Sequence, residues 1–267
     1  MKKIAVIGCG NMASAVVRSM YKDQKIKNKY LTYTPSRTRA IELAKEVEGE
    51  AIVELKEASD ADYFLIGCKP QQFEELSKIL KDIDLSNKVV ISIMAGIDQE
   101  RISNLLGTSK VIRLMPSLPM EYGEGICLLS TTEQVEENEV EFLKEHISES
   151  SMILKMKTEE LFDQVTVVSA SGPAFIYFFM NALEDSLKEW GLGAIESRAI
   201  TSQLFRGSAK SALINCETEL DDLIAKVTSK KGVTIEAIES FRQSGIDAFV
   251  KMGVDKAVQR SSELRRG

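Results

Sequence analysis

The stretch Lys3-Ile-Ala-Val-Ile-Gly8-Cys-Gly10-Asn-Met-Ala13 decides the fold. A short apolar strand runs directly into a Gly-x-Gly-x-x-Ala loop, after which a helix is predicted. In a dinucleotide-binding unit the first glycine permits the tight turn and the second lets the backbone approach a pyrophosphate. The small third residue lets helix and strand pack closely. Free N–H groups at the helix N-terminus bind the anion. The stretch therefore predicts a Rossmann-type nucleotide site formed by Gly8, Gly10, Asn11, Met12 and Ala13.

The alternation of apolar runs with amphipathic helices continues to residue 158. It predicts strands at 3–8, 30–34, 51–53, 63–67, 89–94, 111–115, 125–129 and 152–156. Such alternation is typical of an α/β protein with a parallel sheet. Beyond Thr158 only helical periodicity remains, so we predict a nucleotide-binding domain, 1–158, followed by an all-helical domain, 159–267. In the helical domain, a long helix that begins at Pro173 carries an apolar stripe to Trp190, which predicts either a domain core or a subunit interface.

The composition argues against several function classes. The chain has 267 residues, a net charge of −6 and one histidine, so zinc sites built from several imidazoles are not available and no metal site is predicted. A histidine-based nucleophilic triad would need His146, which we expect on the polar surface of a helix. The acidic balance argues against binding to nucleic acid or to an anionic membrane surface.

The cysteines and the apolar segments indicate a cytoplasmic protein. Cys9, Cys68, Cys127 and Cys216 are widely spaced and form no Cys-x-x-Cys pair, which favours a reducing compartment. We expect no membrane span, because no segment approaches the roughly 18 consecutive apolar residues that a span requires.

The segment after the second predicted strand favours NADP(H) over NAD(H). It reads Thr34-Pro-Ser36-Arg37-Thr-Arg39, where a cofactor without a 2′-phosphate usually meets an Asp or Glu. Hydroxyl and guanidinium groups suit a phosphate, so Ser36 and Arg37 are the predicted ligands. The alternative is that Ser36 only caps the helix predicted over 36–47; Arg39 is expected at the surface.

Two further pairs follow predicted strands directly. Lys69-Pro70 and Ala95-Gly96 lie where ligands of open α/β sheets bind, and they complete the predicted cofactor site.

Further motifs carry a family resemblance over essentially the full length: Arg113-Leu-Met-Pro116, Gly123-Glu-Gly125, Ser169-Ala-Ser-Gly-Pro-Ala174 and Val227-Thr-Ser-Lys-Lys-Gly-Val-Thr234. With the cofactor loop, they make the chain resemble the pyrroline-5-carboxylate reductase family. The resemblance implies a Rossmann domain and a helical dimerisation domain, with homodimers often built into larger rings. It also implies NAD(P)H-dependent reduction of a small cyclic imine carboxylate, 1-pyrroline-5-carboxylate, to proline.

The resemblance also implies the substrate site. It places Ser171 in the nicotinamide and substrate region. It also implies that the imine acid binds to a loop that contains Ser229, Gly232, Val233 and Thr234. Thr234 is the candidate catalytic residue, because helix N–H groups beside it can bind a carboxylate while its hydroxyl faces the ring nitrogen. The alternative is that Thr234 is only the N-cap of the helix that begins Thr-Ile-Glu-Ala.

Two departures from the family pattern lie in predicted site segments. Lys230-Lys231-Gly232 stands where family members usually carry Pro-Gly-Gly, and Ser117-Leu118 stands where they usually carry Asn-Thr. A non-glycine at 231 is strained if φ is positive, and the lysines offer charge for a second anionic group. Ser117-Leu118 removes polar groups expected near the nicotinamide carboxamide or the pocket wall.

Because of these departures, two alternative functions stay open. One is reduction of a different cyclic imine acid, and the other is an NADP-binding regulatory or interaction protein with altered or lost activity. A hydroxy-acid dehydrogenase of the 6-phosphogluconate type is disfavoured, because Pro173 to Leu187 contains no lysine.

Overall fold

The computed structural model describes residues 1–22, 27–147, 149 and 151–266. The chain divides into two compact units, Met1–Pro173 with Ala257–Gly267 and Ala174–Lys256. The first contains the sheet, and the second consists of helices and their connections.

All of the predicted strands are present, with ends displaced by at most two residues. They are β1 Lys3–Ile7, β2 Lys29–Tyr33, β3 Glu50–Ala51, β4 Tyr63–Ile66, β5 Val89–Ser92, β6 Val111–Pro116, β7 Gly125–Thr131 and β8 Ser151–Lys155. They form one sheet in the order β3-β2-β1-β4-β5-β6-β7-β8. This order, with β1 at the centre of a parallel array, is that of a Rossmann-type fold.

The expectation of a parallel sheet is wrong at one position. β7 pairs with β6 in the antiparallel direction, Ile112 opposite Thr131, and β8 then lies parallel to β7. The connection from β6 to β7 contains only a 3₁₀ turn, Leu118–Tyr122, which is too short for the crossover that a parallel neighbour requires.

The helices of the first unit cover both faces of the sheet. They are α1 Asn11–Lys22, α2 Thr38–Glu46, α3 Phe73–Leu80, α4 Gln99–Leu106 and α5 Glu137–Ile147. Alternate residues of β1 supply the two cores: Ile4 and Val6 pack with α1, α2 and α5, while Ala5 and Ile7 pack with α3 and α4. This division follows from the two-residue period of a strand.

A long helix, α6 Glu159–Glu189, begins in the first unit and ends in the second. It is followed by α7 Ala194–Ile214, α8 Leu220–Lys226, α9 Val233–Gln243 and α10 Ile246–Arg266. The prediction that this helix begins at Pro173 is wrong, because Pro173 lies inside it. Pro173 has no N–H to donate to the Ser169 carbonyl four residues earlier, and the helix nevertheless continues on both sides of it.

The apolar character of α6 exceeds the sequence-based expectation. Within the described part of the chain, α6 alone is long and apolar enough to cross a membrane. Only 11% of its apolar 18-residue stretch is buried. Length and composition are weak evidence for a span. The same features suit a helix whose exposed apolar side chains are covered by another protein chain.

The expectation that His146 lies on the polar surface of a helix is wrong. It is 8% exposed and lies on the inner face of α5 with Val140 and Leu143. Its Nδ1 donates to the Phe142 carbonyl at 2.6 Å, and its Nε2 accepts from the Asn28 amide at 2.9 Å. His146 follows Leu143 by three residues, and this spacing places both side chains on one face despite the charged neighbours. The histidine therefore has a structural role.

Arg113 in β6 anchors the start of α6. Its side chain is 2% exposed, and it donates to Glu159 at 2.7 Å and to Asp163 at 3.0 Å. Its guanidinium carbon also lies 4.4 Å from the centre of the Phe162 ring. The other oxygen of Glu159 accepts a hydrogen bond from Ser130 in β7 at 2.8 Å. The buried Arg113 thus ties α6 to β6, and Glu159 ties it to β7.

We predict that Arg113→Ala lowers the free energy of unfolding by about 3 to 5 kcal/mol, because it leaves two largely buried carboxylates without their cation. Urea denaturation followed by circular dichroism measures the change. The control is Arg101→Ala, which breaks the more exposed ion pair with Glu74 and is expected to cost less than about 1 kcal/mol. Equal losses in the two variants would contradict the anchoring role of Arg113.

Candidate cofactor and substrate site

The predicted nucleotide loop is built on a close contact between two strand ends. Gly8 follows β1 with φ +96°, and its N–H donates to the Tyr33 carbonyl at 2.9 Å. A Cβ at Gly8 would lie 2.6 Å from the Gly67 carbonyl carbon, after β4. A Cβ at Gly67 would lie 2.7 Å from the Ala13 Cβ. The Gly8–Gly67–Ala13 contact therefore excludes larger side chains and fixes α1 against β1 and β4.

Gly10 has a different environment. A Cβ there would meet no protein atom within 4 Å, so the protein itself does not require this glycine. The first helical bond of α1 runs from the Ser14 N–H to the Gly10 carbonyl, which leaves the preceding N–H groups, at Asn11, Met12 and Ala13, without helical partners. The first turn of α1 contains no acidic residue. This open surface can accept an anion.

The end of β2 carries an unpaired buried hydroxyl. Thr34 Oγ1 is buried and has no hydrogen-bond partner. Next to it the Arg37 N–H donates to the Thr34 carbonyl at 2.9 Å, which closes a turn with the exposed Ser36 at its tip. Arg37 has φ +59°, a strained conformation for a residue with a side chain.

The alternative role of Ser36 as a helix cap is wrong. α2 begins at Thr38, its N-cap is Arg37, and no side chain caps it. The turn that ends at Arg37 delays the helix by two residues relative to the prediction, so the Ser36 hydroxyl remains exposed.

The remaining predicted cofactor residues follow β4 and β5. Lys69 is exposed, with Pro70 opening a 3₁₀ turn behind it. Ala95 is exposed, and Gly96 has φ +73°. Because β2, β1, β4 and β5 are adjacent and parallel, the structure brings all of the predicted cofactor residues to one edge of the sheet.

Ser117 and Leu118 have separate roles after β6. Ser117 is 3% exposed; its N–H donates to the Ile126 carbonyl and its Oγ accepts from the Ile126 N–H, both at 2.8 Å. Leu118 is 42% exposed. The Ser117 hydroxyl therefore holds the turn, and Leu118 presents an apolar surface beside the strand end.

Two cysteines, Cys9 and Cys68, lie beside this edge. Burial raises the pKa of the Cys9 and Cys68 thiols to about 11 in each case. Both thiols are neutral at pH 7, and a thiolate is the reactive form.

The predicted substrate loop lies between α8 and α9. The Gly232 N–H donates to the Ser229 carbonyl at 2.9 Å, and a Cβ at Gly232 would lie 2.3 Å from the Ser229 Oγ. Lys231 has φ +61°, so the strain expected from its replacement of a glycine is present. The structure thus brings Ser229, Gly232, Val233 and Thr234 together in one turn and the start of one helix.

The alternative reading of Thr234 as an N-cap is wrong. The N-cap of α9 is Gly232, so Thr234 is the second helical residue, and its side chain is exposed. Ser171, the other predicted substrate residue, is an exposed residue inside α6 and belongs to the first unit.

Comparisons with known proteins identify the family. The chain is 30% identical to a pyrroline-5-carboxylate reductase of Vibrio alginolyticus, with 99% of this chain and 98% of that protein covered. It is 31% identical to the enzyme of the same name from Pseudomonas aeruginosa, with 98% and 96% covered. The chain belongs to the pyrroline-5-carboxylate reductase family.

Family models divide the chain in two. Residues 159–264 match pyrroline-5-carboxylate reductase dimerisation, which supports oligomerisation through the helical half. Residues 3–96 match a model described as NADP oxidoreductase, coenzyme F420-dependent.

Solved structures of the family share the fold. A Streptococcus pyogenes 1-pyrroline-5-carboxylate reductase superposes with a TM-score of 0.86 at 24% identity, with 98% of each chain covered. A Plasmodium falciparum pyrroline carboxylate reductase, solved with NADP bound, superposes with a TM-score of 0.84 at 22% identity, with 99% of this chain and 98% of that chain covered.

Sequence reasoning missed the contribution of Gly67 and understated that of Thr34. Gly67 had a usable signal, since a glycine that ends a buried strand often marks close backbone approach. Thr34 stood in the predicted phosphate segment, but no sequence pattern shows that its hydroxyl is buried without a partner.

Substitution of Gly67 and of Gly10 should affect stability to different extents. Gly67→Ala should lower the free energy of unfolding by about 2 kcal/mol or more, because its Cβ overlaps Ala13. Gly10→Ala should change it by less than about 0.5 kcal/mol, since nothing lies near the new methyl group. Thermal and urea denaturation of the ligand-free variants measure both. A large loss in Gly10→Ala would show that the protein, not a ligand, requires that glycine.

Proposed function

We propose that this protein reduces 1-pyrroline-5-carboxylate to L-proline with NADPH. The observation that carries the proposal is the Gly8–Gly67–Ala13 contact beside an open Gly10, in a chain that belongs to the family over nearly its full length. Both relatives are named pyrroline-5-carboxylate reductase and match this chain over nearly their full length. The first unit supplies a sheet edge suited to a dinucleotide.

The residues at this edge fit NADPH. Gly10 and the N–H groups of Asn11, Met12 and Ala13 would hold the pyrophosphate. The buried Thr34 hydroxyl, which lacks a protein partner, suits the 2′-phosphate together with Ser36 and Arg37. An unsatisfied buried hydroxyl costs about 1 to 3 kcal/mol, and a phosphate oxygen would satisfy it. Bound NADPH supplies the hydride.

The charge balance around Arg37 favours the phosphorylated cofactor. The carboxylate of Glu57 accepts hydrogen bonds from the Glu54 and Val53 N–H groups at 2.7 and 2.9 Å, and these bonds lower its pKa, with a lesser contribution from the Arg37 charge. Its carboxylate caps a 3₁₀ turn, so its hydrogen bonds are made within the protein and not to ribose hydroxyls. NAD(H) is accordingly the weaker cofactor in this proposal.

The loop before α9 would hold the imine acid. The first-turn N–H groups of α9 and the Ser229 hydroxyl would bind the carboxylate. The family resemblance alone supports Ser171, in the first unit, as a further substrate residue. The Thr234 hydroxyl accepts a hydrogen bond from the protonated ring nitrogen. A protonated imine is already electrophilic, so the residues act mainly by holding donor and acceptor in attack geometry.

Lys231 supports an active enzyme over a binding-only protein. It retains the left-handed conformation that a glycine adopts without strain, so the loop keeps its turn despite the substitution. The discriminating experiment follows NADPH absorbance with 1-pyrroline-5-carboxylate and then with other cyclic imine acids. Turnover of the first supports the proposal, turnover of another acid only would change the substrate, and NADPH binding without any turnover would indicate a regulatory module.

We also propose a homodimer, or a ring of dimers, formed through the helical unit in the cytoplasm. The helical unit exposes large apolar side chains, among them Ile176, Phe178, Leu204, Leu213 and Phe249. Such a surface suits a second copy of the same chain. The free cysteines suit a reducing compartment, and we propose no nucleic-acid or membrane partner.

Arg37→Ala should weaken NADPH binding by about 1.5 to 3 kcal/mol and leave NADH binding nearly unchanged, because only NADPH offers the 2′-phosphate. Titration calorimetry with both cofactors measures the difference. The matched control is Arg39→Ala, an exposed arginine of the same segment that should affect neither cofactor. Equal weakening of NADPH and NADH in Arg37→Ala would remove the basis for phosphate recognition.

Thr234→Ala should lower kcat/KM for the imine by at least about tenfold, because a hydrogen bond to a charged group contributes roughly 1.5 to 3 kcal/mol. Thr234→Ser retains the hydroxyl and should retain most activity. Steady-state kinetics at saturating NADPH measure both variants. A kcat/KM within twofold of wild type in Thr234→Ala would show that its hydroxyl does not act on the nitrogen.

A further inference from the structure

A cavity of about 610 Å³ lies at the edge of the sheet opposite to the predicted cofactor residues. Its lining includes Lys2, which precedes β1, and Tyr63 and Val89, the first residues of β4 and β5. Helix α5 contributes Phe142 to the same lining. Since these parallel strands begin at the cavity and the predicted cofactor residues follow their other ends, the cavity is separate from the proposed cofactor site.

Tyr63 presents a buried hydroxyl without a partner to this cavity. The residue is only 3% exposed, and among the described residues none forms a hydrogen bond with its hydroxyl. Burial raises the pKa of its phenol above the ordinary value, and three carboxylates raise it further, those of Glu139, Asp62 and Glu136. All three carboxylates line the cavity, so the hydroxyl end of the ring faces it. The phenol is protonated at pH 7, and its oxygen can accept a hydrogen bond from a ligand.

The aromatic rings of the cavity suit a cation. The Tyr63 ring stacks on the Phe142 ring, with centroids 4.7 Å apart and planes at 19°. The face of such a ring attracts a positive charge. The chain itself contains one example, since the Lys2 ammonium lies 5.9 Å from the centre of the Tyr63 ring. The same rings offer an apolar surface on which a short hydrocarbon chain can pack.

The charges around the cavity leave an excess of one carboxylate. The carboxylates that line it are those of Asp62, Glu136, Glu139, Glu141 and Glu145. The cations that line it or pair with these carboxylates are Lys2, Lys88, Lys110 and Lys144. Glu145 forms no ion pair with a described residue. A ligand with a single positive charge would therefore balance the cavity.

An organic cation fits these features better than a metal ion. Within the described part of the chain no group of His, Cys, Asp and Glu side chains could hold a metal ion. Metal ions such as Mg²⁺ require several oxygen ligands in a fixed geometry, whereas an ammonium group needs one or two acceptors and tolerates an aromatic surface.

We propose that this cavity is a second binding site, which takes a small aliphatic ammonium compound. The ammonium group donates to the Tyr63 hydroxyl oxygen and lies near the Glu145 carboxylate, and the hydrocarbon chain packs on the rings of Tyr63 and Phe142. The inference does not depend on the proposed reductase function, because the site shares no residue with the proposed cofactor and substrate sites.

The test compares two probes of the same length by titration calorimetry at pH 7 and low ionic strength. n-Butylamine is an ammonium ion at this pH, and 1-butanol is its uncharged counterpart. The full chain should bind butylammonium at least about tenfold more tightly than 1-butanol, because only the cation forms a charge-assisted hydrogen bond. Added NaCl should weaken the binding of butylammonium and not that of 1-butanol.

Two variants assign the binding to the cavity. Tyr63→Phe keeps the stacked ring and removes only the hydroxyl, and it should raise the Kd for butylammonium about fivefold. Glu145→Gln removes the unpaired charge and should raise it about two- to threefold. The matched controls lie outside the cavity: Tyr122→Phe, at a tyrosine that is 80% exposed, and Glu42→Gln, at an exposed residue of α2. Both controls should leave the Kd unchanged.

Four results would overturn the proposal. The first is no binding of butylammonium by the wild-type chain, and the second is equal binding of butylammonium and 1-butanol. The third is an unchanged Kd in both Tyr63→Phe and Glu145→Gln, which would place the amine elsewhere on the protein. The fourth is stronger displacement of the amine by MgCl₂ than by NaCl at equal ionic strength, which would assign the carboxylates to a metal ion.

Discussion

The edge of the sheet that carries the predicted cofactor residues depends on one steric constraint, the mutual contact of Gly8, Gly67 and Ala13. Gly8 and Gly67 end neighbouring strands whose backbones approach so closely that neither position accommodates a Cβ. Ala13 closes the contact from α1. The N-terminus of α1 is thereby fixed over the ends of β1 and β4, and the open surface at Gly10 exists only because the helix lies there. The geometry of the proposed cofactor site therefore depends on the absence of a Cβ at Gly8 and Gly67.

A second constraint is electrostatic and fixes the long helix. Arg113 lies in a strand whose other residues are all buried, and an isolated charge in such a strand would be very costly. Glu159 and Asp163 occupy one face of the first turns of α6 and supply the neutralising charges. The chain therefore begins α6 at a defined position on the sheet, although Pro173 interrupts the hydrogen bonding of the same helix further along.

The sequence predicted the features that depend on local periodicity and missed those that depend on contacts between distant residues. The strands of the sheet were predicted to within two residues, because apolar runs and turn residues mark them directly. The antiparallel direction of β7 depends on the length of its connection, and the burial of His146 depends on which face of α5 meets Asn28. The Thr34 hydroxyl has no partner because no donor or acceptor from another part of the described chain lies within hydrogen-bonding distance, and no local sequence pattern predicts that.

The left-handed residues show why one unusual observation is not enough to define a functional position. Arg37, Glu48 and Lys231 are the non-glycine residues with positive φ in the described part of the chain. Glu48 directly follows Val47, the C-cap of α2, where a left-handed residue commonly ends a helix, and its carboxylate forms an ion pair with Lys27. Its conformation and its charge are both explained by its surroundings. Arg37 and Lys231 instead precede helices, where termination does not require positive φ, and neither forms an ion pair with a described residue. Both lie in loops to which a ligand anion is assigned on other grounds. Strain acquires a functional meaning only where the strained residue is also a cation without an ion-pair partner among the described residues and lies in a predicted anion-binding segment, as Arg37 does; we therefore assign a role to Arg37 and none to Glu48.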